Sequence, residues 1–210
     1  MDVTSGHSDS TPVITLTREV RWFREGPISD AVVEWFTSSG ATTKRLQRLD
    51  RYDSAAARRG IGVKRRDAQS HDTKRRLAFT PDVALAPDIV GCVEDWVKTS
   101  TPIDRAAERP ASYGLPVLKD IITRVYLAEP SSADHAGAAG CGVELAVVTV
   151  GDRQAWTLSF ETFGPSHRVA EALRAGIEGF LADTPLPDGL SFTGAESCGY
   201  PAWLASLTAP

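Results

Sequence analysis

Cysteine is scarce in this chain. Cys92, Cys141 and Cys198 are far apart and odd in number, which argues against a disulfide framework and leaves them as inert thiols. Histidine is equally thin. His7, His71, His135 and His167 show no metal-ligand spacing with each other or with the cysteines, so no zinc site is expected. No apolar run approaches the ~20 residues that cross a bilayer, and no membrane partner is expected. Met1 to Thr11 is polar and lacks the basic-then-apolar layout of a secretory leader. Residues 1–11 are therefore expected as a disordered tail, with the cytoplasm as the default location.

What remains suits one globular domain over 12–210. Hydrophobic residues make up 42% of the chain and charged residues 24%, a balance that excludes general disorder. The net charge of −4 conceals an asymmetry: between Lys44 and Arg76 stand twelve Lys/Arg against four Asp. A local cationic excess of this kind draws in anions.

Period-2 patterns dominate. In Val13 to Phe23, Ile14, Leu16, Val20 and Trp22 alternate with Thr15, Thr17, Glu19 and Arg21, the mark of a half-buried strand. Ile28 to Ser38 reads as a short amphipathic helix ended near Gly40. Thr42 to Asp53 alternates again, and Ser54 to Gly60 is a connection. Ile61 to Arg66 and Thr73 to Phe79 form a hairpin across the polar loop Asp67 to Asp72. Cys92 to Thr99 is a strand, Ser100 to Pro116 a long loop, Val117 to Ala128 a strand, and Glu129 to Gly142 a flexible segment. Gly151-Asp152-Arg153 marks a tight turn between Val143–Val150 and Gln154–Phe163. Ser166 is placed to cap a helix from His167 to Ala182, and Tyr200 to Leu207 closes the chain as a helix. About eight strands with a few flanking helices predict an α+β protein built on an antiparallel β-barrel.

Charged residues two apart recur on these strands: Glu19 and Arg21, Lys64 and Arg66, Lys74 and Arg76, and Lys98 after Glu94 and Trp96. Residues i and i+2 share a face. Either these faces meet solvent, the usual case for a single strand, or they line a barrel lumen wide enough for an ionic ligand. In the second case neighbouring cations repel, and a polyanion relieves them, with Arg forks matching phosphate oxygens. Arg124 and Glu144 each sit in an otherwise apolar strand, where a charge needs a partner or a ligand.

At this point the chain resembles a known family, the CYTH or triphosphate tunnel proteins. Thr17-Arg18-Glu19-Val20-Arg21 looks like their opening E-x-E-x-K strand, and Lys64-Arg65-Arg66 like their basic strand. Arg48 to Asp53 is similar to the strand ending in Tyr-Asp, Val143 to Glu161 to the late hairpin ending in E-x-E, and Ser197 to Leu204 to the closing helix. The matches run in order over nearly the whole chain. Two signature carboxylates are replaced, by Thr17 and by Ser159, and Arg21 stands for Lys.

The resemblance implies a triphosphate-tunnel barrel and metal-dependent hydrolysis of a triphosphate or other phosphoanhydride, a reaction run by positioning and charge neutralisation. It assigns Arg21, Lys64, Arg66, Arg76, Lys98 and Arg124 to phosphate oxygens. Glu19, Glu144 and Glu161 would hold Mg²⁺ or Mn²⁺, with Glu19 and Glu161 catalytic. The alternative is a non-catalytic binder of a nucleotide, a polyphosphate or another anionic metabolite, since both acidic pairs are incomplete. The expected partner is a small phosphate-containing anion. Nucleic acid is not expected, because only Tyr52 and Phe79 interleave the basic stretch and the whole chain is acidic.

Overall fold

In the computed structural model, residues 11–38, 40–66, 70–102, 114–128 and 137–207 are described. The tail expected over 1–11 falls, Thr11 apart, outside them. So do parts of the 67–72, 100–116 and 129–142 segments.

Eight strands close into a barrel: β1 Val13–Glu25, β2 Lys44–Tyr52, β3 Ile61–Arg66, β4 Ser70–Ala86, β5 Ile89–Pro102, β6 Leu115–Leu127, β7 Gly140–Val150 and β8 Arg153–Phe163. Their cyclic order is β1-β5-β4-β3-β2-β6-β7-β8. Each named pairing is antiparallel, and Glu19 on β1 lies opposite Glu161 on β8 where the cylinder closes. The helices are α1 Asp30–Thr37, α2 Ser54–Ala57, α3 Val169–Asp183 and α4 Tyr200–Leu207. The α+β barrel expected from the alternation is the observed fold. No helix among the described residues is long and apolar enough to cross a membrane.

The apolar faces of several strands point outward, beneath helices. Val20, Trp22, Val143, Leu145, Leu158 and Phe160 pack against Trp35 and Phe36 of α1 and against Leu173, Ile177 and Phe180 of α3. Each such side chain, fully buried, contributes roughly 1.5–3 kcal/mol. Gly176 lets α3 approach, since a Cβ there would lie 2.2 Å from Cys141 Cβ. A second apolar cluster lies within the barrel and plugs one end. Phe23, Val117, Ile121, Val148 and Ala155 meet Trp203 and Leu204 of α4 there, and Phe23 stacks on Trp203 with centroids 4.6 Å apart. Above that plug the inward residues are mostly charged or hydroxyl-bearing.

Local chemistry explains the element ends and three departures from expectation. Asp53 caps α2 by accepting from Ala56 N–H at 2.9 Å. Gly151 takes φ +60° in the β7–β8 turn, a conformation glycine adopts without strain. Ser166 does not cap a helix. It opens a 3₁₀ turn, Ser166–Arg168, and α3 starts at Val169 with no side-chain cap. β4 and β5 run much further than Thr73–Phe79 and Cys92–Thr99. Pro81, a strand breaker by composition, lies where the β4–β5 register shifts between Thr80 and Val83, and a bulge tolerates its missing N–H. Ser54 to Gly60, read as plain connection, includes the single turn α2.

Candidate functional site

Charged side chains converge on a partly open hollow of about 320 Å³ between the barrel wall and α4. Seven cations line it: Arg21, Arg48, Lys64, Arg66, Lys74, Lys98 and Lys119. Facing them are Glu19, Asp72, Glu144 and Glu161, with Asp50 packed beneath against Lys119. Seven positive groups against five carboxylates leave a positive excess. Period-2 alternation puts them together, since Glu19 with Arg21, Arg48 with Asp50, and Lys64 with Arg66 each share the inner face of one strand.

The charges are unevenly distributed. Asp50, wholly buried, faces three cations: Lys119 Nζ at 2.9 Å, Arg48 Nε at 3.0 Å and Lys64 Nζ at 3.8 Å. Burial raises its pKa, but Lys119, then Lys64 and Arg48, outweigh that and hold it at about 2. Burial lowers Lys119 to about 8, against the pull of Asp50 and Glu144. Lys64 is pushed well below its usual range by burial and then by Lys119. Lys119 also donates to Tyr52 Oη at 2.8 Å and lies 3.8 Å from the centre of the Tyr200 ring. Asp72, nearly as buried, faces two cations, Arg66 at 3.3 Å and Lys98 at 3.6 Å. Arg48 Nε and Arg66 Nε are buried without an aligned hydrogen-bond partner from the protein, although Arg48 Nε lies 3.0 Å from Asp50 Oδ1.

Opposite stand two groups with no cationic surplus. Lys74 reaches from β4 to Glu19 Oε2 at 2.7 Å and Glu161 Oε1 at 2.8 Å. Burial opposes ionisation of Glu161, yet Lys74 outweighs it and holds the carboxyl below its usual range. Arg21 donates to Glu144 at 3.1 Å and to Thr157 Oγ1 at 3.0 Å, and its guanidinium lies 4.7 Å from the Tyr200 ring centre. Glu144 is held below its usual range, Arg21 and then Lys119 outweighing burial.

Of the residues singled out in the sequence, the hollow brings together Glu19, Arg21, Lys64, Arg66, Lys98, Glu144 and Glu161. Two are elsewhere. Arg76 pairs with Glu94 at 2.7 Å and lies 4.9 Å from the Phe79 ring, in a separate hollow beside α2 and α4. Arg124 lies on the outer side of the wall, donating to the Phe36 carbonyl and to Thr184 Oγ1 between the rings of Phe36 and Phe180. Its need for a partner is met by the helical layer, not by a phosphate. Arg48, Asp50, Asp72, Lys119 and Tyr200 join the site without having been singled out for it, and Lys74, noted in the sequence as a strand-face cation but not assigned to phosphate, joins them. Lys119 carried a usable signal, a lysine among Val117, Leu118, Ile121 and Ile122, the same signal that drew attention to Arg124.

The carboxylates expected to hold Mg²⁺ or Mn²⁺ do not fit that ion as placed. Glu19 and Glu161 share the Lys74 ammonium, and Glu144 is paired with Arg21. Thr17 and Ser159, at the two replaced signature positions, supply only neutral hydroxyls, whereas a hard divalent cation favours anionic oxygen ligands. Among the described residues no group of three or more His, Cys, Asp or Glu could hold a metal.

No family model matches the chain, and no curated protein matches it significantly. Among solved structures, S. pombe Pct1 RNA triphosphatase in complex with the Spt5 CTD aligns over 80% of this chain and 83% of that chain, at 12% identity and a TM-score of 0.35. The S. pombe enzyme alone aligns over 80% and 78%, at 11% identity and a TM-score of 0.36. Likeness at this level speaks to neither substrate nor chemistry.

Proposed function

We propose that the barrel binds a small phosphate-rich polyanion, a triphosphate or a related phosphoanhydride compound, in its charged hollow. The observation that carries this is the imbalance at Asp50: one buried carboxylate among Arg48, Lys64 and Lys119. Buried like charges depress one another's protonation, and a multivalent anion removes that penalty, with guanidinium groups matching phosphate oxygens. The volume, about 320 Å³, is that of a small-molecule site. Part of the basic Lys44–Arg76 stretch is drawn away from any outer face. Arg48, Lys64, Arg66 and Lys74 turn inward, which weakens a nucleic-acid surface.

A second reading, hydrolysis of the bound phosphoanhydride, is favoured by the carboxylates Glu19, Glu144 and Glu161 facing the same hollow as the cations. With Lys74 and Arg21 paired to them, the non-catalytic binder is the better supported of the two.

Calorimetric titration with inorganic tripolyphosphate, ATP and pyrophosphate, alongside a phosphate-release assay with Mg²⁺ and with Mn²⁺, separates the readings. The binder predicts saturable 1:1 binding, weakened by salt, with no release. Release that a Glu161→Gln variant abolishes would establish the hydrolase. The absence of saturable binding by any of the three anions would refute the proposal.

A further inference from the structure

Glu19 and Glu161 are direct neighbours across the β1–β8 seam, with both side chains turned into the hollow. Like charges so placed destabilise a sheet. The remedy comes from β4, on the far side of β5, whose Lys74 Nζ lies within 2.7 and 2.8 Å of one oxygen from each. Two of the three are shielded from solvent, the side chains of Glu19 and Lys74 being 6% and 19% exposed, whereas that of Glu161 is 37% exposed. The other carboxylate beside them, Glu94 opposite Glu19 on β5, is already claimed by Arg76 at 2.7 Å. Thr17 and Ser159 contribute buried hydroxyls without a protein partner, and Glu144 is tied to Arg21.

We infer that Lys74 is the built-in counter-ion of the Glu19–Glu161 pair, standing where a shared divalent cation would otherwise be held, and that the hollow takes its polyanion free of metal. An ammonium bridging both carboxylates occupies their common point of approach, and its charge repels a second cation brought to the same oxygens. A metal site needs those oxygens anionic and unclaimed. The substitution is latent rather than complete: both carboxylates persist, so the loss of one charge, at position 74, should uncover a divalent site. Once stripped of its ammonium, the pair has the hard oxygen donors that Mn²⁺ favours.

The decisive experiment is a Mn²⁺ titration followed by electron paramagnetic resonance on the full chain, with no anion present. The chains are wild type, Lys74→Met, and Lys74→Met combined with Glu19→Gln, each checked for fold by circular dichroism. Wild type should bind no stoichiometric Mn²⁺. Lys74→Met should bind one equivalent, at least about a hundredfold tighter than wild type, and Glu19→Gln should abolish that gain. Tight one-to-one binding by wild type overturns the inference, as does a folded Lys74→Met chain that gains nothing. Should Lys74→Met fail to fold, the wild-type chain still decides through tripolyphosphate affinity with and without excess Mg²⁺, a measurement that rests on the proposed anion site. Metal-free recognition predicts weaker apparent affinity in Mg²⁺, because the ion sequesters the ligand; a metal-held ligand predicts the reverse and overturns the inference. Absence of tripolyphosphate binding in both conditions would count against the anion site itself, and the Mn²⁺ titration of wild type then decides the role of Lys74.

Discussion

Two clusters in the same hollow have inverse composition. Around Asp50 one carboxylate faces Arg48, Lys64 and Lys119; around Lys74 one ammonium faces Glu19 and Glu161. The first is left with surplus positive charge in a buried setting, the second with a small negative remainder. The attraction for an anion is therefore lodged on the β2–β3–β6 side of the barrel, and the acidic side is quenched from within. Cations matched one to one, such as Arg21 with Glu144 and Arg76 with Glu94, have less to offer a ligand than those crowding Asp50.

Removing the hub of each cluster gives the sharpest contrast. Asp50→Asn leaves three cations uncompensated and should cost about 3–5 kcal/mol of stability in urea unfolding, the usual loss when one member of a buried ionic group is deleted. Tripolyphosphate should restore part of it. Lys74→Met leaves two carboxylates that can relax by hydration through Glu161, 37% exposed, and should cost only about 1–3 kcal/mol. Equal losses, or a larger one at Lys74, would break the comparison.

Affinity should follow surplus charge. Lys64→Met and Arg48→Gln should each weaken tripolyphosphate binding about 10- to 100-fold, in line with ~1.5–3 kcal/mol for a charge-assisted hydrogen bond. Arg76→Gln should change it by less than about twofold, its charge being spent on Glu94 outside the hollow. Calorimetry checks all three.

Acid provides a third contrast. Asp50 titrates at about 2 in the fold against an ordinary 3.8, so its ionised form stabilises the native state above about pH 4. That share, about 2 kcal/mol by linkage, should disappear as pH falls towards 2, seen as a falling urea midpoint that Asp50→Asn flattens. The smallest effect lies at Lys119, lowered to about 8. An incoming anion raises that value and that of Lys64, so binding at pH 8 should take up protons, about half of one at Lys119 alone, read by calorimetry in two buffers of different ionisation enthalpy.

The barrel was legible in the sequence because its strands alternate cleanly. Thr15, Thr17, Glu19 and Arg21 against Ile14, Leu16, Val20 and Trp22 specify two faces, and Gly151 fixes the β7–β8 turn. Which face looks inward was not legible. Period 2 divides residues into two sets without naming the inner one, and here the greasy face of β1 lies outside, beneath α1 and α3. The same limit separates Lys119 from Arg124. Both are charges within the apolar β6, but five residues apart they fall on opposite faces, one in the hollow and one beneath α1. The pairing of Lys74 with two strands it does not neighbour depends on barrel closure, a long-range property that no local spacing encodes. The extended β4 was hidden by Pro81, whose bulge forms only once β5 is in place.

A crystal structure of the chain grown with excess tripolyphosphate, without divalent metal, tests the central claim most directly. Phosphate density inside the hollow, with oxygens on Arg48, Lys64, Arg66 and Lys119 and with Lys74 still bridging Glu19 and Glu161, is the predicted result. An empty hollow at saturating anion, with the phosphates scattered over the outer wall, would contradict the account.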